Sequence, residues 1–111
     1  MDEKFYRIEC YVPESHLEKV KEALFGAGAG RLGSYKDCCF SFPGKGEFCP
    51  LANAEPFLGT PGKKEVVTEW KIEILCPENI LKKALLAMLE AHPYETPAYQ
   101  FFPVQITPPE R

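Results

Sequence analysis

The segments Tyr6–Ala27 (YRIECYVPESHLEKVKEALFGA) and Trp70–Ala91 (WKIEILCPENILKKALLAMLEA) are two copies of one pattern at a constant offset of 64 residues. The alignment runs without a gap over residues 6–42 and 70–106. Pro13, Glu14, Leu17, Lys19, Ala23 and Ala27 meet Pro77, Glu78, Leu81, Lys83, Ala87 and Ala91, while Ile8 and Glu9 meet Ile72 and Glu73, and Tyr35 meets Tyr99. The period is too long for a solenoid. Two copies instead imply one pseudo-symmetric domain spanning residues 1–111.

Each copy reads as strand, helix, strand. Tyr6, Ile8, Cys10 and Val12 alternate with Arg7, Glu9 and Tyr11, and the same parity recurs in Trp70, Ile72, Ile74 and Cys76. That is the period of a strand with one buried face. Pro13 and Pro77 open apolar patterns of helical spacing, where a missing N–H is harmless in the first turn, and Glu14 and Glu78 suit the positive end of the helix dipole. Gly26-Ala27-Gly28 ends the first helix; the second ends at His92, because Pro93 disfavours a helical residue before it. Second strands are expected over Tyr35–Phe42 and Ala98–Ile106.

Strand, helix, strand, strand, helix, strand is the α+β, ferredoxin-like split βαβ arrangement (βαββαβ), a four-stranded antiparallel sheet with two helices on one face. The first strands of the two copies should lie antiparallel at the sheet centre. If residues whose numbers sum to 80 face each other, Arg7 meets Glu73 and Glu9 meets Lys71 on the helix-free face. That face would also expose Tyr11, Tyr35, Leu75, Tyr99 and Phe101, an aromatic surface suited to an interface.

Composition fits one soluble core: 45% of residues are hydrophobic, and a formal net charge of −3 gives no basic excess for nucleic acid. No apolar run approaches the roughly 20 residues of a membrane span, and the charged opening Met1-Asp2-Glu3-Lys4 is unlike a signal peptide. The expected location is the cytoplasm. Five cysteines, an odd number, argue against a disulfide framework. Cys10 and Cys76 should be buried, at opposite ends of adjacent strands. Cys38, Cys39 and Cys49, beside the central loop, are the thiols with a metal or redox alternative to a structural role.

The repeat breaks twice. Residues 43–64 carry Pro43, Gly44, Gly46, Pro50, Pro56, Gly59, Pro61 and Gly62, and read as a long Gly/Pro-rich loop. Its Phe48, Leu51, Phe57 and Leu58 indicate that it folds back on the domain or docks on a neighbouring subunit, and backbone amides near Gly44 and Gly46 could meet an anion. The second break, His92-Pro93-Tyr94-Glu95-Thr96-Pro97-Ala98-Tyr99, replaces Gly28-Ala29-Gly30-Arg31-Leu32-Gly33-Ser34-Tyr35. It sets an imidazole at a helix C-terminus, where the dipole favours its protonated form, with a carboxylate three residues later. His92 either caps the last helical carbonyls in a proline-stiffened turn or joins Glu95 in binding a divalent metal or other ligand, with further metal ligands supplied by another subunit.

His92 to Tyr99 with Phe102-Pro103-Val104, Gly30 to Tyr35, Cys38-Cys39-Phe40-Ser41, Pro43-Gly44-Lys45-Gly46, Phe48 and Pro50 together resemble the domain inserted in many members of the NGG-interacting-factor-three-like family. That domain is similar to the PII and CutA signalling proteins, and CutA proteins carry a comparable His-Pro-Tyr-Glu segment. The resemblance covers nearly the whole chain. It implies a PII/CutA-like fold, a stand-alone accessory domain, and a homo-oligomer, with a trimer favoured over a dimer. The family's flanking domains hold a two-metal site, but His16 and His92 are the only histidines here, so metallohydrolase chemistry does not carry over. The expected function is therefore non-enzymatic: an oligomeric binding or regulatory domain using His92, Tyr94, Glu95, Gly44 and Gly46 toward a small-molecule or protein partner. The alternative is a divalent metal held at His92 and Glu95. Neither nucleic acid nor membrane is expected as a partner.

Overall fold

Apolar alternation in both first strands and the 3.6-residue period behind each proline produce the elements they call for in a computed structural model describing residues 4–107. Strand β1 (Phe5–Pro13) leads through a 3₁₀ turn (Glu14–His16) into helix α1 (Leu17–Ala27), followed by β2 (Phe40–Phe48). Then β3 (Glu65–Pro77), a matching 3₁₀ turn (Glu78–Ile80), α2 (Leu81–Ala91) and β4 (Tyr99–Val104) complete the chain. The sheet order is β2-β3-β1-β4, antiparallel throughout, so the first strands of both copies form its centre as expected. Met1-Asp2-Glu3 lies outside the described residues.

The repeat holds to the residue through both helices, whose 3₁₀ and α segments start and stop at equivalent positions. Ile8, Cys10 and Val12 from β1, with Ile72, Ile74 and Cys76 from β3, meet Val20 and Leu24 of α1 and Ala84 and Met88 of α2 in the core. Cys10 and Cys76 lie toward opposite ends of the central pair, opposite Ile72 and Tyr6. Burial pushes the Cys10 thiol up to about 12 and the Cys76 thiol up to about 11. Both act as small core hydrophobes.

The central register differs by two residues from the one expected. Arg7 stands opposite Leu75, Glu9 opposite its own repeat equivalent Glu73, and Tyr11 opposite Lys71. A slip of two leaves every side chain on its original face, so alternation alone cannot distinguish the registers. The two charge pairs form as diagonals: Arg7 Nη1 to Glu73 Oε1 at 3.3 Å and Lys71 Nζ to Glu9 Oε1 at 3.3 Å. Lys71 also reaches Glu73 at 3.2 Å, so two cations compensate the like-charged carboxylates facing each other at the pseudo-symmetry centre.

The second strands also need correction. β2 begins at Phe40 rather than Tyr35 and runs through Pro43, Gly44 and Gly46 to Phe48, so the Gly/Pro-rich loop begins at Cys49 rather than Pro43. Upstream, a Leu32–Tyr35 bridge around Gly33 and a left-handed Asp37 (φ 57°) hold the chain out of the sheet. β2 is an edge strand, where a proline can turn its ring away from the ladder. β3 correspondingly spans 13 residues, and its first part continues with the end of β2 as a two-stranded arm, consistent with a longest dimension of 56 Å.

Tyr99 and Phe101 face the helix side, opposite Cys10 and Ile8, and Tyr35 lies outside the sheet. The helix-free face instead presents Phe40, Phe42, Tyr11, Leu75, Gln100 and Phe102 around the charged centre. No described helix is long and apolar enough to cross a membrane.

Candidate functional site

The two segments where the repeat breaks come together. The loop at 49–64 closes on itself through Gly62 N–H donating to the Pro50 carbonyl at 2.7 Å, then folds back onto the domain. There the Glu55 N–H donates to Glu95 Oε1 at 3.1 Å, and the Phe57 ring meets the edge of His16 at 5.3 Å. Between this loop, the end of β2 and the turn after α2 lies a cavity of about 370 Å³.

Its walls bring together Phe48, Phe57, Tyr94 and Tyr11 with the carboxylates of Glu47, Glu69 and Glu95. Tyr94 is the hub: its ring centroid lies 6.1 Å from Phe48 and 6.4 Å from Phe57, and its hydroxyl donates to Glu69 Oε2 at 2.8 Å. Burial, then the neighbouring Glu69, raises the Tyr94 phenol and keeps it protonated. Gly46 lies behind this pair, where an added side chain would displace the Glu69 carboxylate from its present position.

His92 is buried behind the cavity wall and positions the turn. Its Nε2–H donates to the Tyr11 carbonyl at 2.6 Å, while its Nδ1 accepts the Tyr94 N–H at 3.2 Å. These partners specify the neutral tautomer protonated on Nε2. Burial lowers the affinity of the ring for a proton despite the Tyr11 carbonyl. The expected protonated helix cap is thus replaced by a neutral imidazole tying α2 to β1. The dipole effect is confined to the last helical turn, and desolvation of a nearly buried ring opposes it.

Among the sequence-derived site residues, Tyr94 and Glu95 line the cavity; His92, Gly44 and Gly46 do not. Both glycines lie within β2, and the group against Gly46 is a carboxylate, which repels rather than attracts an anion. Both His92 nitrogens are engaged, so neither offers a free lone pair to a metal shared with Glu95. Among the described residues, no three His, Cys, Asp or Glu side chains cluster as metal ligands. Cys39 packs partly against the core with its thiol pKa raised by burial, whereas Cys49 lines the cavity. Sequence reasoning did not single out Glu69, and it placed Tyr11 only among the exposed aromatics of the helix-free face; both sit in strands and carry no motif. Glu69 stands opposite Gly44, one strand position before Trp70, and only the extension of β2 beyond Phe42 reveals that it faces the cavity.

Tyr11 joins the cavity to the helix-free face. Its hydroxyl accepts a hydrogen bond from Gln100 Nε2 at 3.1 Å, and the same amide donates to Glu9 Oε1 at 2.8 Å. Lys71 lies 5.9 Å from the Tyr11 ring centre. Glu9 is buried, yet its carboxyl pKa is lowered, chiefly by the Gln100 hydrogen bond and then by Lys71 and Arg7 against the opposing effect of burial.

Across 94% of its length the chain superposes on 26% of a Bacillus cereus protein related to NIF3, with a TM-score of 0.80 and 38% identity. The chain is similar to one domain-sized part of NIF3-related proteins, and its fold is PII/CutA-like. It is also 43% identical over 105 residues to a Bacillus subtilis protein named GTP cyclohydrolase 1 type 2 homolog, spanning 95% of this chain but 28% of that relative. CutA from Archaeoglobus fulgidus, a periplasmic divalent cation tolerance protein, matches 93% of this domain and 86% of its own chain, at a TM-score of 0.66 and 19% identity. Bacillus subtilis GlnK matches 91% of the domain and 85% of its own chain, at 0.61 and 14%. The last two likenesses carry the fold alone. No protein-family model matches the chain.

Proposed function

We propose that this domain is a non-enzymatic binding or regulatory module that works as a homo-oligomer, a trimer, in the cytoplasm, with a small ligand seated between the 49–64 loop and the turn after α2. The observation carrying this reading is that the two segments breaking the internal repeat meet around one cavity, whose volume lies at the small end of the range for ligand sites. Core residues are constrained by packing, whereas these segments are held by a few hydrogen bonds and ring contacts. A ligand touching both would favour their docked arrangement and reach the sheet face through Tyr11.

Assembly is supported by the helix-free face, where Phe40 is 65% exposed and Phe42 and Phe102 flank a compact charge network. Aromatic side chains beside satisfied polar groups are the composition of an interface. The absence of an enzymatic role is supported by the wall chemistry. It holds no histidine, and its thiol, Cys49, lies against the Pro50 carbonyl at 3.8 Å without a neighbouring base among the described residues. The activity in the relatives' name is not transferred to a domain spanning 28% of the Bacillus subtilis relative.

Native mass spectrometry of the untagged chain tests this reading. A trimer that retains added mass is expected, and substitution of Tyr94 by alanine should release that mass while leaving the trimer. A monomer at micromolar concentration would overturn the assembled module. Retained metal lost in Glu95→Gln would replace the small ligand with an ion.

A further inference from the structure

We infer that the cavity is built for a small organic cation, an alkylammonium or quaternary ammonium group. This rests on the cavity being a ligand site and names the chemical class of its ligand. Its wall combines four aromatic rings (Tyr11, Phe48, Phe57 and Tyr94) with three carboxylates (Glu47, Glu69 and Glu95), and no lysine, arginine or histidine contributes to it. Lys64 pairs with Glu47 at 3.1 Å, at an exposed position; Glu69 and Glu95 form no ion pair among the described residues. Two of the three wall carboxylates, Glu69 and Glu95, therefore carry negative charge without an ion-pair partner among the described residues.

The rings supply the second half of the recognition. Aromatic faces attract a cation through their quadrupoles, most strongly when desolvated, and clustered rings are the common means of holding quaternary ammonium groups. Tyr94 is fixed for this role at both ends, its N–H by His92 Nδ1 and its hydroxyl by Glu69. Tyr11 already receives a cation on its outer side, where Lys71 Nζ lies 5.9 Å from the ring centre. A phosphate or carboxylate ligand would meet two carboxylates without ion-pair partners, Glu69 and Glu95, and no basic side chain in the same wall. A bare divalent metal would use the carboxylates but gain little from the apolar lining, and the described residues offer it no cluster of three ligands.

The test is a titration of the full chain with tetramethylammonium chloride, followed by amide chemical shifts at constant ionic strength against sodium chloride. Parallel titrations use ATP and, as a paramagnetic probe, manganese chloride. Saturable shifts confined to residues 47–58, 69 and 94–98 are expected with tetramethylammonium, weakened at least tenfold by Glu69→Gln. Glu95→Gln, at an exposed position, supplies the same test should the first variant unfold, with a several-fold loss expected. Saturable shifts at these residues with ATP alone would overturn the cationic class while leaving the cavity as a ligand site. Manganese broadening there without a tetramethylammonium response would replace the organic cation with a metal. Silence from all three probes would overturn the cation proposal and the ligand-site reading together, and tetramethylammonium binding unaltered by either carboxamide variant would remove the carboxylates from recognition.

Discussion

The two halves of the domain share one design up to the last helical turn and then diverge. α1 ends on Gly28, whose left-handed backbone (φ 109°) returns its N–H to Leu24 and Phe25, while the next N–H, of Ala29, reaches Leu24. α2 ends on His92 in extended backbone before Pro93; its N–H still donates to the Met88 carbonyl at 3.0 Å, and the imidazole adds contacts to β1 and to Tyr94. The first ending is a local backbone solution that needs only a glycine. The second reaches across the fold and leaves an aromatic ring and a carboxylate on a cavity wall. Shared parts of the repeat thus build the core, and the part that differs builds the site.

The comparison is challenged most severely in the core. Ile8 and Ile72 are repeat equivalents, both fully buried on the central strands. Ile8→Ala and Ile72→Ala should each destabilise the domain by about 2–5 kcal/mol in urea unfolding, through lost burial and an unfilled cavity. Similar values would show that both copies contribute equally to one core. A loss confined to one copy would break the symmetry that the shared architecture implies.

The helix endings should separate next. His92→Ala leaves the Tyr11 carbonyl and the Tyr94 N–H without their partners, an expected loss of about 1–3 kcal/mol. Gly28→Ala meets no clash, since the nearest neighbour of an added methyl is Ile80 at 3.6 Å; its left-handed backbone alone should cost about 1–2 kcal/mol. The distinguishing readout is hydrogen exchange at 94–98, faster in the histidine variant and unchanged in the glycine variant. Equal exchange in both would mean that His92 does not position the turn.

Much of this contrast can be read from the residues themselves, and the limits have physical causes. Alternation fixes which face of β1 and β3 is buried, and Pro13 and Pro77 mark both helix entries. The register eludes the pattern because a two-residue slip preserves that face. β2 is misplaced because proline and glycine oppose strand formation locally, while pairing with the long β3 overrides them at an edge. Tyr94 and Glu95 stand out in a motif between prolines, whereas Glu69 gains its role from a fold-dependent meeting with Tyr94. His92 is visible as a residue, yet its neutral state follows from burial and partners that adjacent positions do not reveal.

Acid should separate the halves by pH window. The His92 pKa is lowered in the folded chain, so its neutral form contributes stability above the ordinary histidine value of 6.5. As pH falls below 6.5 the unfolded chain takes up the proton first, and this stability is lost progressively toward the lower folded pKa. Glu9, also lowered, contributes above its ordinary value of 4.5 and loses that contribution as pH falls through its folded pKa. Urea midpoints across this range should decline in two stages. His92→Ala should remove the upper stage and keep the lower; an upper stage that persists would assign it to another group.

The smallest effect probes the symmetry centre itself. Arg7 and Glu73 pair at 3.3 Å, and their repeat equivalents Lys71 and Glu9 also pair at 3.3 Å, but the surroundings differ. Gln100 of β4 stands opposite Glu9, whereas Phe40 of β2 stands opposite Glu73. A double-mutant cycle on Arg7 and Glu73 should give a coupling of about 0.2–1 kcal/mol for a partly exposed pair, reduced by added salt. If the proposed assembly buries that face between subunits, solvent screening is removed there, and the coupling should become less sensitive to salt as protein concentration rises. The same salt dependence at every concentration would mean that the charged centre stays wet, and assembly would then have to use the exposed rings at its edge without covering the ion pairs between them.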